Sequence, residues 1–143
     1  MKAANTVSGS CLCGSVTLRA RLKDRVYGAC HCGICRKWGG GPMLAVECSE
    51  APEIDGARHV KTYASSEWAE RGFCGNCGTH LFYRLKSGPF YALPLGLLEN
   101  GDWRFDHQVF IDEKPAHYAF ANRTHDLTGA EVFAQFGGGD EQA

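Results

Sequence analysis

No apolar run among the 143 residues approaches the ~20 residues that cross a bilayer. The first ten residues, Met1 to Ser10, lack the apolar core of a signal peptide. Neither sign of charge dominates: the net charge is -1. That excludes the basic surface with which proteins displace counterions from nucleic acid or bind an anionic membrane. No long segment repeats apolar residues with a helical period of about 3.6. No linker, second core or true repeat interrupts the chain. These absences leave a single domain over residues 1–143, cytoplasmic, with neither nucleic acid nor membrane as partner. Its core is expected over about residues 9–135, with loose ends at residues 1–9 and from Gly137.

What is present is a globular composition, 44% hydrophobic and 22% charged. Short strands dominate. Val16 to Leu22 alternates apolar and polar residues with period two, and Val26 to Ala29 reads as a second short strand. Met43 to Cys48, Val60 to Tyr63, Glu70 to Phe73, His80 to Leu85, Tyr91 to Leu95 and His107 to Ile111 are further strand candidates. Turn residues separate several of them, at Lys86-Ser87-Gly88-Pro89 and Glu99-Asn100-Gly101-Asp102. Cys35 to Gly39 suits one helical turn, stopped by the glycines and Pro42 that follow, and Ser65 to Trp68 suits a loop or short helix. The pattern predicts an all-β fold.

Eight cysteines are many for this length, and seven of them cluster: Cys11 and Cys13; Cys30, Cys32 and Cys35; Cys74 and Cys77. Neighbouring cysteines pair poorly with each other but can all face one ion. In a reducing compartment metal binding therefore outweighs disulfides. On an extended strand Cys11 and Cys13 would face the same side. Cys74-Gly75-Asn76-Cys77-Gly78 has the spacing of a zinc knuckle, in which glycine and asparagine supply positive φ and backbone N–H groups turn toward the thiolates. Together these four cysteines predict a closed, structural zinc. The central Cys30-His31-Cys32-Gly33-Ile34-Cys35 offers three thiolates within six residues. Three protein ligands leave a fourth position for water or a substrate thiol, the arrangement of a catalytic zinc. Arg36 and Lys37 follow directly and are candidates to hold an anionic substrate. Cys48 is either the fourth ligand, closing the shell, or a small buried apolar residue. On a strand His31 would point away from the metal, either behind the ligands or exposed. Arg71 either reaches a substrate carboxylate or pairs with Glu67 or Glu70. The segment Phe110 to Tyr118 is a candidate edge of the pocket.

Gly9-Ser10-Cys11-Leu12-Cys13-Gly14-Ser15-Val16, then Cys30-His31-Cys32-Gly33-Ile34-Cys35-Arg36, then Phe73-Cys74-Gly75-Asn76-Cys77-Gly78-Thr79 resembles the glutathione-dependent formaldehyde-activating enzyme family, which includes centromere protein V. The resemblance runs from about Gly9 to about Ala119 and takes in Gly40, Pro42, Tyr63 to Ser66 and Leu95-Gly96. It implies a small zinc-bound β-tent of two facing antiparallel sheets, related to a Rab-accessory zinc protein. It implies two zinc ions per chain, one on Cys11, Cys13, Cys74 and Cys77 and one on Cys30, Cys32 and Cys35. It implies a carbon–sulfur lyase that joins glutathione and formaldehyde to S-hydroxymethylglutathione. The stretch Cys35-Arg36-Lys37-Trp38-Gly39 lacks the usual small polar residue before the glycine, and Met43 replaces a commoner aromatic. These departures leave the thiol substrate open. The competing reading is a non-catalytic zinc module that binds a thiol or a protein partner.

Overall fold

The computed structural model describes residues 5–99 and 101–135. Its strands are β1 (Thr6–Ser10), β2 (Thr17–Cys30), β3 (Met43–Cys48), β4 (Glu53–Asp55), β5 (Val60–Tyr63), β6 (Ala69–Cys74), β7 (His80–Leu85), β8 (Tyr91–Pro94), β9 (Arg104–Val109) and β10 (His125–Leu127). Two short helices accompany them, α1 (Gly33–Gly39) and α2 (Gly129–Gln135). The all-β expectation holds. Among the described residues no helix is long and apolar enough to cross a membrane.

The chain forms two compact units, one from Met1–Arg25 and Val46–Asp102, the other from Val26–Ala45 and Trp103–Ala143. In the first, β1 and β4 both pair antiparallel with the start of β2, Thr6 opposite Arg21 and Thr17 opposite Asp55. The period-two pattern of β2 explains its burial. Leu18, Ala20 and Leu22 point inward while Thr17, Arg19 and Arg21 are exposed. Each buried leucine contributes roughly 2 kcal/mol of transfer free energy. Strands β5 to β8 form an antiparallel meander, Val60 opposite Cys74, Ala69 opposite Leu85 and Arg84 opposite Tyr91. Val7, Val16, Leu81 and Leu93 are almost wholly buried in this unit. So is Arg71, whose Nε donates to Ser65 Oγ at 3.0 Å and whose guanidinium lies 5.0 Å from the centre of the Tyr83 ring. Glu70 is paired instead with Arg84, at 2.7 Å.

In the second unit the end of β2 lies parallel to β9, Val26 opposite Arg104 and Cys30 opposite Val109, with a register shift at Tyr27/Gly28. β10 is also parallel to β9. Rings pack between the elements: Tyr27 stacks on Phe105 at 5.0 Å, and Phe110 meets Phe133 of α2 edge-on at 5.7 Å.

Several local expectations change. Residues 6–9 are not a loose end, because β1 pairs along its whole length with β2. The two strands expected at Val16 to Ala29 are one strand of 14 residues. Cys35 to Gly39 belongs to a seven-residue helix that begins at Gly33. β9 starts at Arg104, earlier than expected, and its parallel pairing departs from the antiparallel pattern of the first unit. Ser65 to Trp68 forms bends without a helix. The tail from Gly137 and Asn100 of the turn at 99–102 lie outside the described residues.

Candidate metal centres

All eight cysteines are free of disulfides. Seven form two groups in which the Sγ atoms all lie within 4.8 Å of one another: Cys11, Cys13, Cys74 and Cys77 in the first unit, and Cys30, Cys32 and Cys35 in the second.

The tetrad is built from two copies of one local design. Cys11 and Cys13 sit in the turn between β1 and β2, not on an extended strand as their spacing suggested. Cys74 ends β6, and Cys77 lies in the turn before β7. In each copy the glycine after the second cysteine has positive φ, +84° at Gly14 and +82° at Gly78. Gly14 N donates to Cys11 O at 3.1 Å, and Gly78 N donates to Cys74 O at 2.8 Å. Only a residue without Cβ adopts this conformation without strain. In the knuckle the positive φ therefore falls on Gly78 and not on Gly75 or Asn76. A hydroxyl follows each glycine: Ser15 Oγ lies 3.3 Å from Cys13 Sγ, and Thr79 Oγ1 lies 3.2 Å from Cys77 Sγ. Backbone N–H groups point at the first sulfur of each pair, from Val16 to Cys11 and from Asn76 and Cys77 to Cys74, at 3.3–3.4 Å. The Asn76 amide crosses to Cys13 Sγ at 3.1 Å. Leu12 N donates to Thr79 Oγ1 at 3.0 Å and ties the two turns together.

These donors favour thiolates. The Ser15 hydroxyl and the Asn76 amide bring Cys13 down to about 7. The Thr79 hydroxyl brings Cys77 down to about 5. Four sulfurs 2.3 Å from a tetrahedral ion stand about 3.8 Å apart. Cys13 Sγ lies 3.6 Å from Cys11 Sγ and 3.9 Å from Cys74 Sγ. The donor set and its spacing thus fit a soft tetrahedral ion.

The trio uses three kinds of backbone in six residues. Cys30 ends β2, Cys32 is the N-cap of α1, and Cys35 lies in the first turn of that helix. Cys32 Sγ accepts from Cys35 N at 3.3 Å. The thiols of Cys30 and Cys35 stabilise the Cys32 thiolate and push its pKa well down, while Cys30 is pushed up because it keeps the shared proton. Glu113 caps the same helix, accepting from Gly33 N at 2.8 Å. Arg36 curls back, and its Nε donates to His31 O at 2.8 Å. Lys37 is exposed.

Other expected residues fall differently. Cys48 is buried but joins neither group. Burial, helped by the charge of Glu47, pushes its thiol up to about 12. It is a buried apolar residue, so Cys48→Ala is expected to keep the metal content of the wild type and to cost about 1–2 kcal/mol of stability. Loss of an ion in that variant, measured by elemental analysis, would return Cys48 to the ligands. His31 is not exposed: it is wholly buried, and its ring nitrogens bond Gln108 and Tyr118. Tyr118 comes from the segment expected to edge the pocket. Asn76 was expected to shape the knuckle and not to reach Cys13, and Ser15, Thr79, Gln108 and Glu113 were given no role of their own. Yet the shared run of cysteine, glycine and a hydroxyl residue at 13–15 and 77–79 was legible in the chain.

Comparison with known proteins places this geometry. A Rhodobacter sphaeroides protein of known crystal structure superposes with a TM-score of 0.57 at 24% identity, covering 66% of this chain and 90% of its own, which supports the fold. An uncharacterized lyase of Schizosaccharomyces pombe is 39% identical over 126 residues, 87% of this chain and 92% of that protein. A Halomonas elongata protein provisionally named a glutathione-dependent formaldehyde-activating enzyme is 32% identical over 85 residues, 53% of this chain and 54% of its own. The family profile described as glutathione-dependent formaldehyde-activating enzyme matches residues 6–113, a span that includes both cysteine groups, and the chain belongs to that family.

Proposed function

We propose that this protein is a zinc-dependent carbon–sulfur lyase of the cytosol, acting on the adduct of a thiol and a carbonyl, with glutathione as thiol and formaldehyde as carbonyl. The observation that carries the reading is the trio. Three thiols converge, and among the described residues no fourth Cys, His, Asp or Glu joins their group. In this reading one zinc sits on Cys11, Cys13, Cys74 and Cys77 for folding, and one on Cys30, Cys32 and Cys35 with a position left for substrate. The second ion would supply acidification of a bound thiol at neutral pH.

The reaction balances without a redox partner. The thiol sulfur forms a bond to the formaldehyde carbon, and the thiol proton ends on the former carbonyl oxygen; cleavage reverses both. Arg36 and Lys37 offer cationic groups beside the trio for the carboxylates of glutathione, and Arg36 is braced on His31 O. A cavity of about 430 Å³ in the same unit is lined by Gln108, Lys114, Phe120, Arg123 and Thr124 among others, and its size suits a tripeptide. Neither cavity is lined by a cysteine; the larger, about 720 Å³ in the first unit, sets Glu53, Asp55 and Glu99 against Arg19 alone, which suits an anionic thiol poorly. Cysteines without disulfides at these spacings fit a reducing compartment.

The test is exchange NMR with carbon-13 formaldehyde and glutathione, with and without the zinc-loaded protein. Adduct exchange is expected to exceed the uncatalysed rate and to return to it after chelation. Glutathione binding with no acceleration would sink the enzyme and leave a thiol-binding zinc module.

A further inference from the structure

His31 stands between two candidate ligands, and four contacts hold it. Its N donates to Val109 O at 3.1 Å, and its O accepts from Arg36 Nε at 2.8 Å. Its Nε2 lies 2.7 Å from Gln108 Oε1, and its Nδ1 lies 2.8 Å from Tyr118 Oη. The contacts continue outward. Gln108 Nε2 donates to Thr124 Oγ1 at 2.8 Å, and Thr124 Oγ1 donates to Asp126 Oδ1 at 2.6 Å.

Proton counting gives this series a direction. An ionised carboxylate only accepts, and a hydroxyl has one proton. Thr124 therefore spends its proton on Asp126 and can only accept from Gln108. The Gln108 amide must then turn its NH₂ toward Thr124 and its oxygen toward His31. With the amide reversed, two oxygens would compete for one hydroxyl proton. His31 consequently donates from Nε2. Tyr118 Oη stands at the other ring nitrogen, 2.8 Å from Nδ1.

We infer that His31, Gln108, Thr124 and Asp126 form a one-way hydrogen-bond chain, with Tyr118 bracing the far side of the ring, that holds the Cys30-His31-Cys32 turn in the shape a metal needs, making Gln108 and Thr124 positioning residues for the trio. The anchor is rigid because Gln108 sits on β9 next to Val109, which bonds the His31 backbone, so main chain and side chain are held by one strand. Outer partners of this kind typically alter metal affinity about 10–100-fold when lost. The use of the chain rests on the metal-dependent function proposed above; its direction does not.

Two measurements on the full chain separate these parts. Nitrogen-15 NMR reads the His31 ring directly, and Nε2 is expected to carry a proton. A bare Nε2 would overturn the chain. Thr124→Val keeps the side-chain shape and removes the hydroxyl, and Thr124→Ser restores it. With cadmium as the probe, cadmium-113 NMR distinguishes the four-sulfur ion from the three-sulfur ion, and chelator competition gives each affinity. In Thr124→Val the trio is expected to lose about tenfold in affinity and the tetrad nothing, with Thr124→Ser near wild type. Equal trio affinity in all three proteins would overturn the positioning role. A wild-type trio that takes no metal would also end that role and the enzyme reading with it, while the ring nitrogens would still decide the direction of the chain.

Discussion

Cys74→Ser is expected to abolish the cooperative unfolding transition of the first unit and to leave at most one ion per chain. Cys74 is wholly buried, and its sulfur accepts two backbone N–H groups. Serine offers a hard, protonated hydroxyl where the ion needs a soft thiolate. Structural zinc on thiolates binds with about 10–16 kcal/mol, against total stabilities of about 5–15 kcal/mol for whole domains. Losing half of the first figure, about 5–8 kcal/mol, matches the whole stability of a domain at the lower end of the second. Topology adds to the effect, because an ion held by the tetrad would join Cys13 to Cys74 across 61 positions. Closing a flexible loop of that length costs about 4 kcal/mol of chain entropy, which the ion meets only when all four sulfurs are present. Circular dichroism melts and elemental analysis check this result. A variant that melts cooperatively near the wild-type temperature with two ions bound would remove the tetrad from the fold's foundations.

Cys32→Ser is expected to behave in the opposite way, keeping the fold and losing the chemistry. The trio spans six residues, so little loop closure depends on it. Serine is also among the best N-cap residues, and Cys32 is the N-cap of α1. Its hydroxyl can accept from Cys35 N as the thiol does, so the helix start survives. Ligation does not survive, because two soft ligands and a hydroxyl hold zinc poorly. Since outer-shell losses already cost about 10–100-fold, loss of a ligand is expected to lower adduct exchange at least about 100-fold and to remove one ion. The melting temperature should move by only a few degrees, about what a 1 kcal/mol change produces in a domain of this size. Full metal content together with full exchange activity in this variant would take the trio out of the reaction.

The contrast shows what the chain makes legible. Cysteine spacing marked the trio and each half of the tetrad because each of these is local. Residues two or three apart meet one ion whatever the rest of the fold does, and the coordinates bring the same sulfurs together. The strands Met43–Cys48 and His80–Leu85, the second with good β formers, were also readable. Thr6–Ser10 was not. Its sequence Thr-Val-Ser-Gly-Ser has one buried apolar residue, and only pairing with β2 makes it a strand. His31 escaped for a different reason. Its partners Gln108 and Tyr118 are 77 and 87 positions away, and no local period carries such information. Cys11 and Cys13 join the expected group of sulfurs, but on a different backbone. An extended pair and a tight turn both bring sulfurs two residues apart to one side, and the hydroxyl after Gly14 was the overlooked mark of the turn.

The 61 positions between Cys13 and Cys74 also set a schedule. A ribosome adds about 5–20 residues per second, so the two halves of the tetrad emerge about 3–12 s apart. The trio emerges within about one second. During the longer wait Cys11 and Cys13 lack their partners, and β1 and β2 must hold their hairpin without a clasp. Oxidants and competing metals meet the nascent chain in that interval, before the finished fold can protect the first pair of thiols.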